Sequence, residues 1–384
     1  MKKIFAFLLA FNIALSCCIV SYADDTNADL CDNLPCKSAI LMEQESGEIL
    51  LQKNIDEKSA PASLTKIMTM LLVIEAIENG EASLEDKISI SADAKIMGGS
   101  EIWLEVGEEM SLHDILKAIA VASANDGAVA VAEHLAGNEA AFVKKMNERA
   151  AQLGMNGTHY INCHGLDEDG HYTTARDVAI VSRELMKHPQ ILEYSTIWID
   201  SLRNGKTQLV NTNRLIRFYK GATGLKTGTT DNAGHCLSAT ATRGNLSLIA
   251  VTMGGKTGKE RFASTEELLN FGFATYDNIQ IPETNSLIRC VEVIGGKEAE
   301  IKAISTAPKY LLLKKKDKNA IKTTINIAEK VTAPVDKGQK LGTVSVYIED
   351  KKISEYPIIA TEQIEARNIF STANQLWNEF CRFD

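Results

Sequence analysis

Residues 63–77, SLTKIMTMLLVIEAI, constrain the fold more than any other stretch of this chain. Leu64, Ile67, Met68, Leu71, Leu72 and Ile74 leave so little polar surface that the segment reads as a helix buried at the centre of a core, not one lying on its outside. Such a helix needs companions on all sides. Residues 112–122 and 128–135 supply two more apolar helical segments, separated by the polar Ser123-Ala124-Asn125-Asp126-Gly127, and residues 139–153 and 174–187 supply two amphipathic helices. Residues 38–53 read as two short strands around a turn at Glu45-Ser46-Gly47. Past residue 207 the pattern changes to strand-like runs at 222–230, 235–242 and 246–253. They form an antiparallel meander closed by a helix over 260–273.

A chain of 384 residues exceeds what one core usually serves, so two domains are expected. From about residue 281 the composition shifts to short β-rich runs at 291–294, 310–313, 321–327, 341–348 and 353–359, spaced by Gly, Pro and Lys. Lys314-Lys315-Lys316 reads as a solvated hairpin tip. Residues 364–383 place Ile369, Phe370, Ala373, Leu376, Trp377 and Phe380 on one helical face. That helix either packs on its own domain or lies in a membrane interface as a peripheral contact, and its two basic residues, Arg367 and Arg382, do not decide between them. The expected fold is α+β: helices packed on an antiparallel sheet over 24–280, a small all-β domain over 281–362 and a C-terminal amphipathic helix over 363–384.

Residues 1–23 stand apart. Lys2 and Lys3 precede an apolar run at 4–20, and Ser21-Tyr22-Ala23 has small residues at both specificity positions of a cleavage site, the pattern of a secretory signal peptide. Its removal takes away two lysines and no acids, moving the net charge from -9 to -11. The protein is therefore expected outside the cytoplasm. Nucleic acid is not expected as a partner, since such binding needs a basic surface to displace counterions. The eight cysteines lack paired C-x-x-C spacing, which disfavours a zinc knuckle, and no metal or other cofactor is expected. Cys31 and Cys36 are near enough in sequence to bridge, though spacing does not show that they do.

Three short elements carry the chemistry. Ser63-Leu64-Thr65-Lys66, after Pro61, puts a hydroxyl and an amine one turn apart on one helix face. The free N–H groups at the helix start favour an oxyanion there, and a lysine in so apolar a helix is costly to charge, so it can act as a base near neutral pH. Ser123-Ala124-Asn125 offers a hydroxyl and an amide that can relay a proton and hold a substrate amide; Ser and Asn are also ordinary helix caps. Lys226-Thr227-Gly228-Thr229 lies on the first strand of the meander. There a lysine and two hydroxyls can grip a carboxylate while Gly228 allows close backbone approach. The triplet recurs as Lys256-Thr257-Gly258, but after Gly254-Gly255 it reads as a turn, and the copy at 226 is taken as functional.

The order Ser-x-x-Lys, Ser-x-Asn, Lys-Thr-Gly resembles that of the penicillin-recognising serine enzymes, and specifically the low-molecular-mass penicillin-binding proteins that are serine D-alanyl-D-alanine carboxypeptidases. The likeness runs from about Lys37 to Phe273 and includes Gly165-Leu166, His171-Tyr172-Thr173-Thr174-Ala175-Arg176-Asp177 and Asn211-Thr212-Asn213-Arg214-Leu215. Cys163 stands where a proline is common. The resemblance implies a transpeptidase-like fold for the first domain and peptidoglycan stem peptides ending in D-Ala-D-Ala as substrate, with β-lactams as acylating inhibitors. It implies Ser63 as nucleophile, Lys66 as its base and Ser123 as proton relay to the departing D-alanine. Asn125 would hold Lys66 and the substrate backbone, Lys226 would lower the pKa of Lys66, and Lys226, Thr227, Gly228 and Thr229 would form the carboxylate site, to which Arg261 is added.

Three other readings compete. A β-lactamase shares the motifs, but Glu168 is no clear match for a deacylating glutamate. A metal-dependent D,D-peptidase could draw on His159, His164 and His171, without a His-Glu-x-x-His helix. A non-catalytic wall-binding protein would not need the full set of reactive residues.

Overall fold

The computed structural model describes residues 30–281 and 287–367. The segment read as a signal peptide lies outside them, as do residues 368–384.

The first half is built on a five-stranded antiparallel sheet. Strands β1 (Ser38–Glu43) and β2 (Ile49–Lys53) form a hairpin. A 3₁₀ turn, Ala62–Thr65, leads into α1 (Lys66–Glu78). Helices α2 (Leu112–Ala122), α3 (Asn125–Ala136), α4 (Glu139–Gln152) and α5 (Ala175–Leu185) follow. The meander is β3 (Ala222–Thr230), β4 (Gly234–Arg243) and β5 (Leu246–Gly255), and α6 (Gly258–Thr275) closes it. In space the strands run β2-β1-β5-β4-β3, so β3, which carries Lys226, is an edge.

Alternation along the strands divides the core in two. Ile40, Met42, Ile249 and Val251 face the helices α1 to α5, whereas Ala39, Leu41, Leu248 and Ala250 face Leu268, Leu269 and Phe273 of α6. The result is helices, sheet, helix in three layers, with α1 buried along most of its length, only Leu72, Glu75 and Ile77 half-buried and Glu78 at its end exposed. A buried leucine in such a layer is worth about 2–5 kcal/mol when cut to alanine.

Two boundaries differ from the sequence reading. Helix α3 begins at Asn125, not near 128, because its polar first residues find tertiary partners: Asn125 bonds Lys66, and Asp126 accepts from the backbone of Ile102, Leu104 and Gly127. The second Lys-Thr-Gly copy forms the start of α6, where Thr257 is the N-cap and exchanges bonds with Glu260 in a capping box.

The C-terminal all-β domain begins with β6 (Tyr276–Gln280), which pairs with β9 (Tyr310–Lys314). A six-stranded sheet is made of β7 (Leu287–Ile294), β8 (Glu300–Ser305), β10 (Ile321–Ile327), β11 (Lys330–Thr332), β12 (Lys340–Ile348) and β13 (Lys351–Ala360). The lysine run is not a free hairpin tip. Lys315 opens a 3₁₀ helix, Lys315–Ala320, and its Nζ donates to the Phe273 carbonyl at 2.5 Å, tying this domain to α6. Nor does a helix begin at 363 or 364. Ile364 bridges Val335 and is buried in the β core, and Ala366 bridges Gly296, so the chain is extended there. The remainder of the segment read as amphipathic lies outside the described residues. Among the described residues, no helix is long and apolar enough to cross a membrane, and Cys31 and Cys36 are free thiols.

Candidate active site

Ser63 sits in the 3₁₀ turn at the head of α1, and three features fix that turn. Pro61 precedes it with its φ preset and no N–H to satisfy. Ala62 takes a left-handed backbone, φ 48°, of the kind that persists only where surroundings hold it. Two glycines then let other backbone close in: a Cβ on Gly228 would lie 3.1 Å from the Ser63 nitrogen, and one on Gly165 would lie 1.9 Å from the Ala62 carbonyl oxygen. Strand β3 on one side and the 162–166 loop on the other are thereby pressed against the serine.

Lys66, one turn on, is fully buried. Its Nζ is 3.0 Å from Ser63 Oγ, 2.5 Å from Asn125 Oδ1 and 2.6 Å from the His164 carbonyl oxygen. Burial brings its pKa down from 10.5 to about 7. The geometry suits the neutral amine. Asn125 Oδ1 and the His164 carbonyl can only accept, so they take its two N–H groups, and the lone pair is left for the Ser63 hydroxyl.

Asn125 is itself held, its Nδ2 donating to the Gly98 carbonyl at 2.8 Å and its backbone N–H to that of Ser100 at 2.7 Å. Ser123 ends α2 in a left-handed conformation, φ 66°, and turns the chain so that Asn125 enters α3. Its side chain is buried and has no hydrogen bond among the described residues. Neither Ser123 nor Asn125 is a capping side chain for α3.

On β3, Lys226 is buried and its Nζ donates to the Thr227 carbonyl at 3.1 Å. Burial first, then repulsion from Lys66 and Arg261, hold its pKa well below the ordinary lysine value. Burial is the main cause of the lowered pKa at both lysines, and the repulsion between the two amines, being mutual, disfavours their being charged together. Thr227 Oγ1 donates to Thr212 Oγ1 at 2.7 Å. Arg261 joins the strand, its Nη1 donating to Thr229 Oγ1 at 3.1 Å and to the Gly228 carbonyl at 3.2 Å. No carboxylate accompanies this buried guanidinium among the described residues, and its Nε–H lacks a partner. A buried guanidinium without a counter-charge is costly, so its field favours negative charge beside it.

The structure therefore brings Ser63, Lys66 and Asn125 into one network and ranges Lys226, Thr227, Gly228, Thr229 and Arg261 beside it. Sequence reasoning missed the His164 carbonyl, a backbone group with no residue signature, and the role of Thr212, which lay within the Asn211-Thr212-Asn213 signature. The three histidines do not converge. His171 Nε2 meets Thr65 Oγ1, His164 Nδ1 accepts from Leu166 N–H, and His159 Nδ1 meets the Gly170 carbonyl. Burial lowers His164 to about 3 and His171 to about 4, so both are neutral at physiological pH. Glu168 accepts from Asn162 Nδ2 at 3.3 Å. Asp167 ties the same loop to the end of β3 through Thr230 Oγ1 at 2.7 Å. Cys163 donates its N–H to Glu139 Oε1, a bond that proline could not make.

Comparison with known proteins agrees with this geometry. Residues 25–257 match the D-alanyl-D-alanine carboxypeptidase family, and residues 276–366 match the penicillin-binding protein 5 C-terminal domain. A Bacillus subtilis relative, D-alanyl-D-alanine carboxypeptidase DacF, is 42% identical over 351 residues, covering 90% of each chain. The crystal structure of penicillin-binding protein 5 from Haemophilus influenzae superimposes with a TM-score of 0.77 at 29% identity, over 86% of this chain and 98% of that one. Penicillin-binding protein D2 from Listeria monocytogenes in its ampicillin-bound form does so with a TM-score of 0.58 at 34% identity, over 63% of this chain and 98% of that one. With matched models over both its parts and a relative aligned nearly end to end, this chain belongs to the D-alanyl-D-alanine carboxypeptidase family.

Proposed function

We propose that Ser63 is the nucleophile of this serine-type D-alanyl-D-alanine carboxypeptidase and penicillin-binding protein, and Lys66 the base that activates it. The observation that carries the assignment is the set of three contacts at Lys66 Nζ, two with groups that only accept and one with the Ser63 hydroxyl. The Ser63 proton passes to Nζ as Oγ bonds to the carbonyl between the last two D-alanines of a stem peptide. The backbone N–H groups of Ser63 and Thr229 hold the oxyanion, a contribution of about 3 kcal/mol for each donor. Ser123 returns a proton to the departing amine, D-alanine leaves, and water hydrolyses the ester. Thr227, Thr229, Lys226 and Arg261 receive the terminal carboxylate, with Gly228 giving the backbone close approach. Arrival of that carboxylate favours the charged form of Lys226, offsetting the repulsion it otherwise suffers. β-Lactams acylate the same serine.

Residues up to Thr275 carry this chemistry, with the separate β-rich unit running from Tyr276 to Ala366. Export is supported by the 1–23 pattern, and peripheral membrane contact by the apolar face spaced from Ile369 to Phe380. D-Alanine release from a stem pentapeptide tests the function: the intact enzyme is expected to release it and Ser63→Ala not, whereas retention of activity by Ser63→Ala would refute the reading. Loss of activity on chelation with Ser63→Ala still active would favour a metallopeptidase, and rapid penicillin turnover a β-lactamase.

A further inference from the structure

The loop of residues 96–108 crosses the head of α3 and holds Trp103 out into solvent. The indole is 72% exposed, although Ile102 and Leu104 on either side are each 1% exposed. Its backbone is left-handed, φ 53°, a conformation that a bulky residue keeps only where its neighbours impose it. Those neighbours are present. The N–H groups of Ile102 and Leu104 donate to the buried Asp126 carboxylate at 3.0 and 3.1 Å. Arg203 holds the other side, donating from Nη1 to the Ile102 carbonyl at 2.9 Å and from Nη2 to that of Trp103 at 3.3 Å, and it is itself clasped by Glu108. A large apolar ring is thus fixed in water on a clamped, strained backbone, where burial would otherwise have stabilised it.

The surroundings of Trp103 narrow what can cover it. Ile96 and Val106, 76% and 58% exposed, extend the apolar surface, and the Lys95–Glu105 ion pair ties their two ends of the loop together. Residues 96–108 contain three glutamates and no lysine or arginine, and the neighbouring Lys95 and Arg203 are each paired with one of those glutamates. Such a rim repels anionic lipid headgroups, which membrane-binding aromatics meet with basic neighbours. The same loop is continuous with the serine site. The carbonyls of Gly98 and Ser100 accept from Asn125, and a Cβ on Gly99 would lie 2.7 Å from Asn125 Nδ2.

We propose that Trp103, with Ile96 and Val106, is a saccharide platform that stacks on a pyranose of the glycan strand from which the stem peptide hangs. The inference rests on the carboxypeptidase reading, because it places the remainder of that substrate. With the terminal carboxylate at Arg261 and the substrate backbone at Asn125, the stem leads away past the 96–108 loop. The stem residues ahead of the scissile bond span about 13 Å when extended, which carries the sugar clear of the catalytic groups. Those residues are small or charged and offer no flat apolar group to match an indole. A pyranose does. Its axial C–H bonds form a neutral apolar face that packs on the ring, while its N-acetyl carbonyl accepts from the indole Nε1–H and the acetyl methyl meets Ile96 or Val106. A ring fixed in advance spares the ordering cost of binding.

The test compares a free stem pentapeptide with the same pentapeptide carried on its N-acetylglucosamine–N-acetylmuramic acid disaccharide, using the full-length enzyme, Trp103→Ala and Trp103→Phe. The rate of penicillin acylation, which needs no saccharide, checks that each variant keeps an intact serine site. The wild type is expected to act on the disaccharide substrate with kcat/KM about tenfold above that on the free peptide, through a lower KM. Trp103→Ala should abolish that advantage and leave hydrolysis of the free peptide unchanged, and Trp103→Phe should keep most of it. Equal kcat/KM on the two substrates with the wild type, or an advantage that survives in Trp103→Ala, would overturn the proposal. A loss in Trp103→Ala that is equal on both substrates would do the same, since the loop would then act only through Asn125. So would a dimer in sedimentation that Trp103→Ala dissociates, which would assign the patch to a second copy of the chain. No D-alanine release from either substrate by the wild type would refute the carboxypeptidase reading itself.

Discussion

Lys66 Nζ lies 2.5 Å from Asn125 Oδ1, a contact joining the helix that bears Ser63 to the one that begins after Ser123. It occupies one of the two N–H groups of the neutral amine and helps aim the lone pair at the serine. Asn125→Ala is expected to cut the penicillin acylation rate about 10²-fold, the usual scale for a misplaced catalytic group. Its thermal midpoint should change far less than its activity, and stopped-flow acylation with a fluorescent penicillin measures the loss.

The pH dependence follows from the value of about 7 for Lys66. Below it Nζ carries a third proton and has no lone pair. Acylation should therefore fall about tenfold for each unit of pH below 7 and level off above it. Lys66→Arg, never neutral in this range, should not acylate at any pH from 5 to 9, roughly the span over which the fold should survive. A flat profile through pH 7 would argue against lysine as the base.

Gly228→Ala tests the packing of β3 on the serine turn. The added methyl would stand 3.0 Å from Ala62 Cβ and 3.1 Å from the Ser63 nitrogen, so strand or turn must yield. We expect a stability loss of about 1–3 kcal/mol, as for other overpacked sites, and a much larger proportional loss of acylation, measured by chemical denaturation and penicillin labelling.

The two Lys-Thr-Gly copies should separate cleanly. Thr257→Ala removes an N-cap and is expected to cost about 1 kcal/mol of stability with acylation unchanged. Thr227→Ala should do the reverse, raising KM for the peptide while leaving the melting temperature nearly unaltered.

Much of this was legible from residue order. The apolar run after Ser63 required a buried helix, and the burial that its composition implied is what lowers Lys66. The meander strands followed from periodicity and turn residues, and the strand order then put Lys226 on the sheet's edge. What escaped lay in tertiary contacts. Asn125 and Asp126 looked like an interruption because polar residues break an apolar pattern, yet partners far along the chain let them open α3. The His164 carbonyl carries no side-chain signal at all. Ile364 opened the segment read as a helix, but pairing with Val335 places it in a β core.

The central claim is that Ser63, activated by Lys66, is the residue that becomes acylated. Intact-mass spectrometry of the mature protein with and without penicillin, followed by peptide mapping, tests it most directly. The account predicts one stable adduct, mapped to Ser63 and absent from Ser63→Ala. An adduct elsewhere, or none in a protein that still releases D-alanine, would contradict it.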